Sequence, residues 1–125
     1  SVSYRSVDEF EYLYMFWKPG PTVYDRHRLS RDEWVNWGSR AVWHIPSVQA
    51  NNAHEAMFPL ELPRRVIRLL TDPGETVLDC FMGSGTTAVA AKLEGRYYIG
   101  IEKDTAYCEL ARKQAVKAAN GTRPA

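Results

Sequence analysis

The sequence predicts an α/β fold built on short parallel strands covered by helices, and three observations carry that expectation. From Val77 onward the pattern runs strand, glycine turn, helix, strand, helix, an order that implies parallel strands joined by a right-handed crossover. The first of these strands runs into Gly83-Ser84-Gly85, which feeds a helix directly. A parallel sheet makes a ligand crevice in this way, at the carboxyl ends of its strands. The composition, 45% hydrophobic and 25% charged over 125 residues, suits one globular domain or part of one.

Each element has a local reason. Phe10 to Trp17 (FEYLYMFW) is aromatic and mostly apolar and stops at Lys18-Pro19-Gly20-Pro21, so it is expected to be a strand buried on both faces. Residues 18–28 are expected to be loop. Ser30-Arg31-Asp32-Glu33 has the S-x-x-E form of a capping box and should open a short helix carrying Trp34 and Trp37, with Gly38 at its end. These tryptophans, with Trp43, are expected in the core or an interface. Val42 to Ile45 is a second candidate extended segment, and 47–57 a polar loop. Pro59 to Leu70 is amphipathic. Leu62, Val66, Leu69 and Leu70 share one face, and Arg64, Arg65 and Arg68 lie on the other, a solvated face by default. After a turn at Asp72-Pro73-Gly74 come a strand over 76–80, a helix over 86–94 ended by Gly95, a strand over 96–102, and a helix over 105–119 ended at Asn120-Gly121.

Composition removes several function classes. The net charge is +1, so bulk charge does not advertise nucleic acid, and any such contact must come from local patches. No stretch approaches the ~20 apolar residues of a membrane span, so no membrane partner is expected. Cys80 and Cys108 form neither a CxxC pair nor zinc spacing. Two reduced thiols in a cytoplasmic protein, with no metal site, are the expectation. His44 and His54 are isolated in loops, where solvated side chains are the default.

The chemistry is expected at Asp79-Cys80-Phe81-Met82-Gly83-Ser84-Gly85-Thr86-Thr87. This is neither G-x-G-x-x-G nor a Walker loop, because Ala88 stands where a third glycine would and no Lys follows the glycines. Asp79 at the strand end would repel a pyrophosphate but suits a ligand with an ammonium group, such as the methionine part of S-adenosylmethionine. Gly83, Ser84 and Gly85 admit a ligand close to the backbone. The helix start at Thr86 and Thr87 offers free N–H groups. Glu102 ends the next strand, 23 positions after Asp79, where a carboxylate can accept hydrogen bonds from two ribose hydroxyls, as in dinucleotide folds with a spacing of about 20. Phe81 or Ile101 is placed to pack on an adenine.

The run VLDCFMGSGTTAVAAKLEGRYYIGIE, residues 77–102, resembles motifs I and II of the adenine-N6 and cytosine-N4 DNA methyltransferases. The usual form of motif I is D-P-F-x-G-S-G-T-T, and here Cys80 replaces the Pro. His54-Glu55-Ala56-Met57-Phe58-Pro59-Leu60-Glu61-Leu62-Pro63 looks like motif X of the same family, which implies that Phe58 and Pro59 wall the methionine pocket. Motif X ahead of motif I implies the permuted β arrangement, with the catalytic half first and the cofactor half last. The resemblance covers roughly four fifths of the chain. It implies part of a Rossmann-like S-adenosylmethionine-dependent methyltransferase fold with an incomplete sheet. Residues 1–125 would then be one partial domain: 1–50 the C-terminal strands of the catalytic half with a connecting helix, and 51–120 the cofactor-binding half.

The family's [D/N/S]-P-P-[Y/F/W] loop, whose ring stacks on a flipped base, is missing, because the chain has no Pro-Pro pair. The resemblance therefore implies the S-adenosylmethionine-binding portion of a site-specific DNA methyltransferase, with no catalytic residue in this chain and no activity alone. DNA would be the partner of the complete enzyme. Bare sheet edges imply a homo-oligomer or a complementing N-terminal half. The alternative is a non-catalytic remnant acting as a cofactor-binding or protein-interaction module.

Overall fold

The computed structural model describes residues 10–21, 25–48 and 58–120. A 3-10 turn at Arg26–Arg28 precedes α1 (Arg31–Glu33), which runs on as a π-helical turn over Trp34–Gly38. Then come α2 (Glu61–Leu70), β1 (Thr76–Asp79), α3 (Thr86–Leu93), β2 (Tyr97–Gly100) and α4 (Thr105–Ala119). Residues 54–57 of the motif X resemblance, most of the polar loop over 47–57, and Gly121 lie outside the described residues.

β1 and β2 pair in parallel, with Thr76 opposite Tyr97, Val77 opposite Tyr98, Leu78 opposite Ile99 and Asp79 opposite Gly100. The pleat sends Val77 and Tyr98 to one face, and there the core forms. Tyr98 packs against two buried clusters. One is Met82, Ala88, Ala111 and Ala115, between the glycine loop, α3 and α4. The other is Ile67, Ala90 and Ala91, between α2 and α3, joined by Leu60 and Val77. Four successive residues of α3, Ala88 to Ala91, are buried. Small side chains on all sides let this helix sit close to α2, α4 and the sheet at once.

Among the described residues, nothing packs over the other sheet face. Leu78, Tyr97 and Ile99 are 59%, 64% and 56% exposed, whereas parallel sheets normally carry helices on both faces.

Two expected strands are not formed. Residues 10–17 have no strand pairing, and Phe16 is 88% exposed. Aromatic, apolar character made this stretch look buried, but a strand exists only through a neighbour's ladder, and the two-stranded sheet does not extend to it. Its rings meet each other instead, Phe10 edge-on to Tyr12 at 5.3 Å between centroids. Val42 to Ile45 is likewise irregular. There Trp43 stands edge-on to Trp37 at 5.7 Å and donates its Nε1–H to the Trp37 carbonyl at 2.7 Å.

The capping box forms as expected: the Glu33 N–H donates to Ser30 Oγ at 3.2 Å, and the Ser30 N–H donates to Glu33 Oε2 at 2.8 Å. The α2 expectation needs correction. Its most buried residues are Pro63 and Ile67, and its arginines are engaged rather than merely solvated. Arg64 pairs with Glu94 at 2.7 Å. Arg68 forks onto the Glu33 carboxylate and lies 3.5 Å from Glu94. Arg65 pairs with Glu61 and lies over the rings of Trp37 and Trp43, 5.3 and 5.6 Å from their centroids. The basic face of α2 thus clamps residues 30–43 to the βαβ unit.

Candidate functional site

The loop after β1 is pinned at three successive points. Met82 is buried in the core, and its N–H donates to the Ile101 carbonyl at 3.0 Å. The Gly83 N–H donates to Glu102 Oε2 at 2.9 Å. Gly85 packs directly on α4, where an added Cβ would lie 2.7 Å from both Cα and Cβ of Ala111. Gly83 and Gly85 take φ of 55° and 97°, the left-handed region that glycine enters without strain. An added Cβ at Gly83 would meet nothing within 4 Å, so the backbone there borders open space.

The end of β2 closes the other side. The Ile101 N–H donates to the Asp79 carbonyl at 2.9 Å, extending the β1–β2 pairing by one bond. Glu102 follows, half-buried, and its second oxygen accepts the Asp104 N–H at 3.0 Å. The Glu102 carbonyl accepts from Cys108 Sγ at 3.2 Å. Asp104 caps α4 by accepting the N–H groups of Ala106 and Tyr107 at 2.9 and 3.2 Å.

Asp79, Gly83, Ser84, Gly85 and Glu102 are therefore brought together at the carboxyl ends of the two strands. Asp79 is half-buried and accepts the Phe81 N–H on Oδ1 at 2.9 Å, which leaves Oδ2 unengaged by that turn. Thr86 and Thr87 form the first turn of α3, which has glycine at its cap position and no capping side-chain bond. Phe81 is 89% exposed and Ile101 55%. Phe58 and Pro59 stand ahead of α2, the Pro59 carbonyl accepting the Leu62 N–H at 3.1 Å. The loop–strand cluster is built without these two residues.

A concavity of about 410 Å³ lies at the opposite ends of the strands, lined by Arg28, Arg68, Asp72, Glu94 and Arg96 among others. It is a structural ion-pair network: Arg28 forks onto Asp72 at 2.8 and 3.1 Å. Arg96, buried, donates to the Thr71 hydroxyl, the Thr71 carbonyl and the Glu94 carbonyl at 2.9, 2.6 and 2.5 Å. The Arg28 hydrogen bond holds the Asp72 carboxyl below the usual carboxylate range. Glu33, in the adjoining clamp, is pushed upward by burial, but hydrogen bonds from Ser30 and Arg68 outweigh this and hold it low. Ligands of parallel sheets lie at the other ends of the strands. Sequence reading missed this network because it depends on which arginine meets which carboxylate or hydroxyl across 25 to 44 positions.

A parallel βαβ unit with a glycine loop and a carboxylate at the end of each strand defines the class: an α/β protein of Rossmann-like design. The chain belongs to the DNA methylase family of the N6/N4 type, whose model matches residues 1–113. It is 63% identical over 113 residues to the type II methyltransferase M.BglI of Bacillus subtilis, covering 90% of this chain and 32% of that protein. Against the type II methyltransferase M.Cfr9I of Citrobacter freundii it is 38% identical, covering 89% of this chain and 38% of that protein. The chain thus spans about a third of the length of these relatives. In three dimensions it is similar to TTHA0409 of Thermus thermophilus, a DNA modification methylase candidate, with TM-score 0.63 and 32% identity over 86% of this chain and 44% of that one. The same protein solved with S-adenosyl-L-methionine gives TM-score 0.61 and 29% identity over 86% and 41%. The fold is therefore part of a methyltransferase fold with a small parallel sheet. Among the described residues no helix is long and apolar enough to cross a membrane.

Proposed function

We propose that the crevice between Asp79 and Glu102 binds S-adenosylmethionine, and that the chain is the cofactor-binding portion of an enzyme methylating adenine N6 or cytosine N4 in DNA. The observation that carries this reading is the convergence of Asp79, the Gly83–Gly85 loop and Glu102 at one open strand end in a member of this family. The residues fit the cofactor. Gly83 leaves open the volume that a Cβ would fill, and the two carboxylates match the cofactor's polar ends. Asp79 would receive the ammonium, and Glu102 the ribose hydroxyls. Ser84, Thr86 and Thr87 would present N–H and hydroxyl groups at the start of α3. Exposed Phe81 and Phe58 would supply apolar walls, with Pro59 beside them. When bound, the cofactor supplies an electrophilic methyl group to a target amine; this chain's residues hold and orient it.

The chain has no Pro-Pro pair, so it is read as inactive by itself, with DNA the substrate of the complete enzyme. The bare Leu78, Tyr97 and Ile99 face and the exposed aromatics of 10–17 support a covering partner. The remainder of a longer enzyme is favoured, because the chain spans 32% of M.BglI.

The test is calorimetric titration of S-adenosylmethionine into the chain and into Asp79→Ala and Glu102→Ala. Binding weakened by both changes supports the reading; a folded wild type that binds nothing overturns it for the chain alone. A monodisperse monomer that does not take up an added N-terminal half would sink the partner reading, and self-association would replace that half with a second copy.

A further inference from the structure

Glu102 is hydrogen-bonded within the protein itself. Both of its carboxylate oxygens accept backbone N–H groups, Oε2 from Gly83 at 2.9 Å and Oε1 from Asp104 at 3.0 Å. These two N–H groups belong to different parts of the crevice. Gly83 is the half-buried turn of the loop after β1, 19 positions earlier in the chain. Asp104 is the cap of α4. We infer that Glu102 is a positioning residue as well as a ligand contact: its carboxylate latches the glycine loop to the start of α4 and shapes the crevice. This rests on the reading of the crevice as the cofactor site and adds a second task to one of its residues.

Loop geometry explains why a latch is needed. Met82 and Gly85 are fixed by burial and by α4. Gly83, between them, has φ of 55° and open space around its α-carbon, so packing does not hold it. The Glu102 hydrogen bond is its described tie. Glu102 is in turn steadied through its own carbonyl by Cys108 Sγ. A carboxylate can do this because it has acceptor lone pairs on both oxygens. Glutamine of the same shape has one accepting oxygen and would set an NH2 group against one of the two N–H donors.

The test is amide hydrogen exchange of the ligand-free chain, read at Gly83 and Asp104, with Val77 and Ile99, whose amides face the partner strand, as core references. The wild-type Gly83 amide is expected to be protected although it sits in a loop. Glu102→Gln is expected to speed exchange at Gly83 or at Asp104, whichever comes to face the NH2 group, about ten- to a hundredfold, the range for losing a hydrogen bond to a charged acceptor, with the references unchanged. An unprotected Gly83 in the wild type, or unchanged rates at both Gly83 and Asp104 in Glu102→Gln, overturns the latch. Should Glu102→Gln lose its core protection too, the wild type decides: a scalar coupling between the Gly83 nitrogen and the Glu102 carboxylate carbon supports the latch, and its absence overturns it. Asp79→Asn separates the two readings, since it should weaken cofactor binding and leave Gly83 protected. Protection without cofactor binding keeps the latch and sinks the site; binding with an unprotected Gly83 does the reverse.

Discussion

Gly85 is where backbone conformation and helix packing coincide, and Gly85→Ala should reveal both. Its φ of 97° lies in the left-handed region, where a non-glycine residue costs on the order of 1–2 kcal/mol. The added Cβ would also lie 2.7 Å from Ala111 Cα and Cβ and 3.4 Å from Ala111 C. Carbon atoms pack at about 3.5–4.0 Å, so α4 and the loop must part by roughly 1 Å. Two of those three atoms are backbone, so no side chain can swing away; overpacking of this kind costs about 1–3 kcal/mol. The expected loss is therefore about 2–5 kcal/mol, a large share of the ~5–15 kcal/mol that holds a domain. Gly95→Ala is the control. Gly95 has φ of 73° and nothing within 4 Å of an added Cβ, so it reports the conformational part alone. Urea denaturation followed by circular dichroism measures both variants, and the slope with denaturant should stay constant. The difference between them, about 1–3 kcal/mol, is the helix contact. If Gly85→Ala is no more destabilising than Gly95→Ala, α4 does not seat on the loop as described.

Three further outcomes follow from the same geometry. An added Cβ at Gly100 would overlap Met82 Cε and lie 2.9 Å from Cγ; Gly100→Ala should displace Met82 and with it the loop, losing about 1–3 kcal/mol, and a stability equal to wild type would count against Met82 as the anchor. Arg96→Met should leave the Thr71 and Glu94 carbonyls without their buried donor and lower stability by about 1–3 kcal/mol, read from the same denaturation curves. Glu33 and Asp72 have folded pKa values held below their ordinary ones, so their contribution is present above the unfolded values of about 4 and lost as pH falls through the lowered ones. The urea midpoint should be flat above about pH 5.5 and drop below about pH 4, with a shallower drop in Glu33→Gln/Asp72→Asn; an unchanged slope in that double variant would assign acid sensitivity to other carboxylates.

What the sequence made legible and what it hid divide along a physical line. The expectations from Thr76 onward match the structure to within a residue or two because they rest on local causes: β-type residues at 76–79, glycines where φ turns positive, and Gly95 at a helix end. Pairing of β1 with β2 was also legible, since one short crossover leaves little alternative. The segment at Phe10–Trp17 was misjudged because its pattern reports what the chain could bury, whereas burial depends on a neighbour. No described strand forms a ladder with it. The arginines of α2 were misjudged for a related reason. Helical periodicity assigns a face, but only the fold decides that Glu33 and Glu94, 61 positions apart in sequence, both meet Arg68. Glu102 shows the same limit inside the site. Its distance from Asp79 suggested a ligand contact, yet its hold on the Gly83 N–H is a property of the folded turn. On the proposed reading, a carboxylate that carries two backbone N–H groups would meet the ligand in a fixed orientation, so preorganisation by the fold would contribute to the selectivity of the crevice.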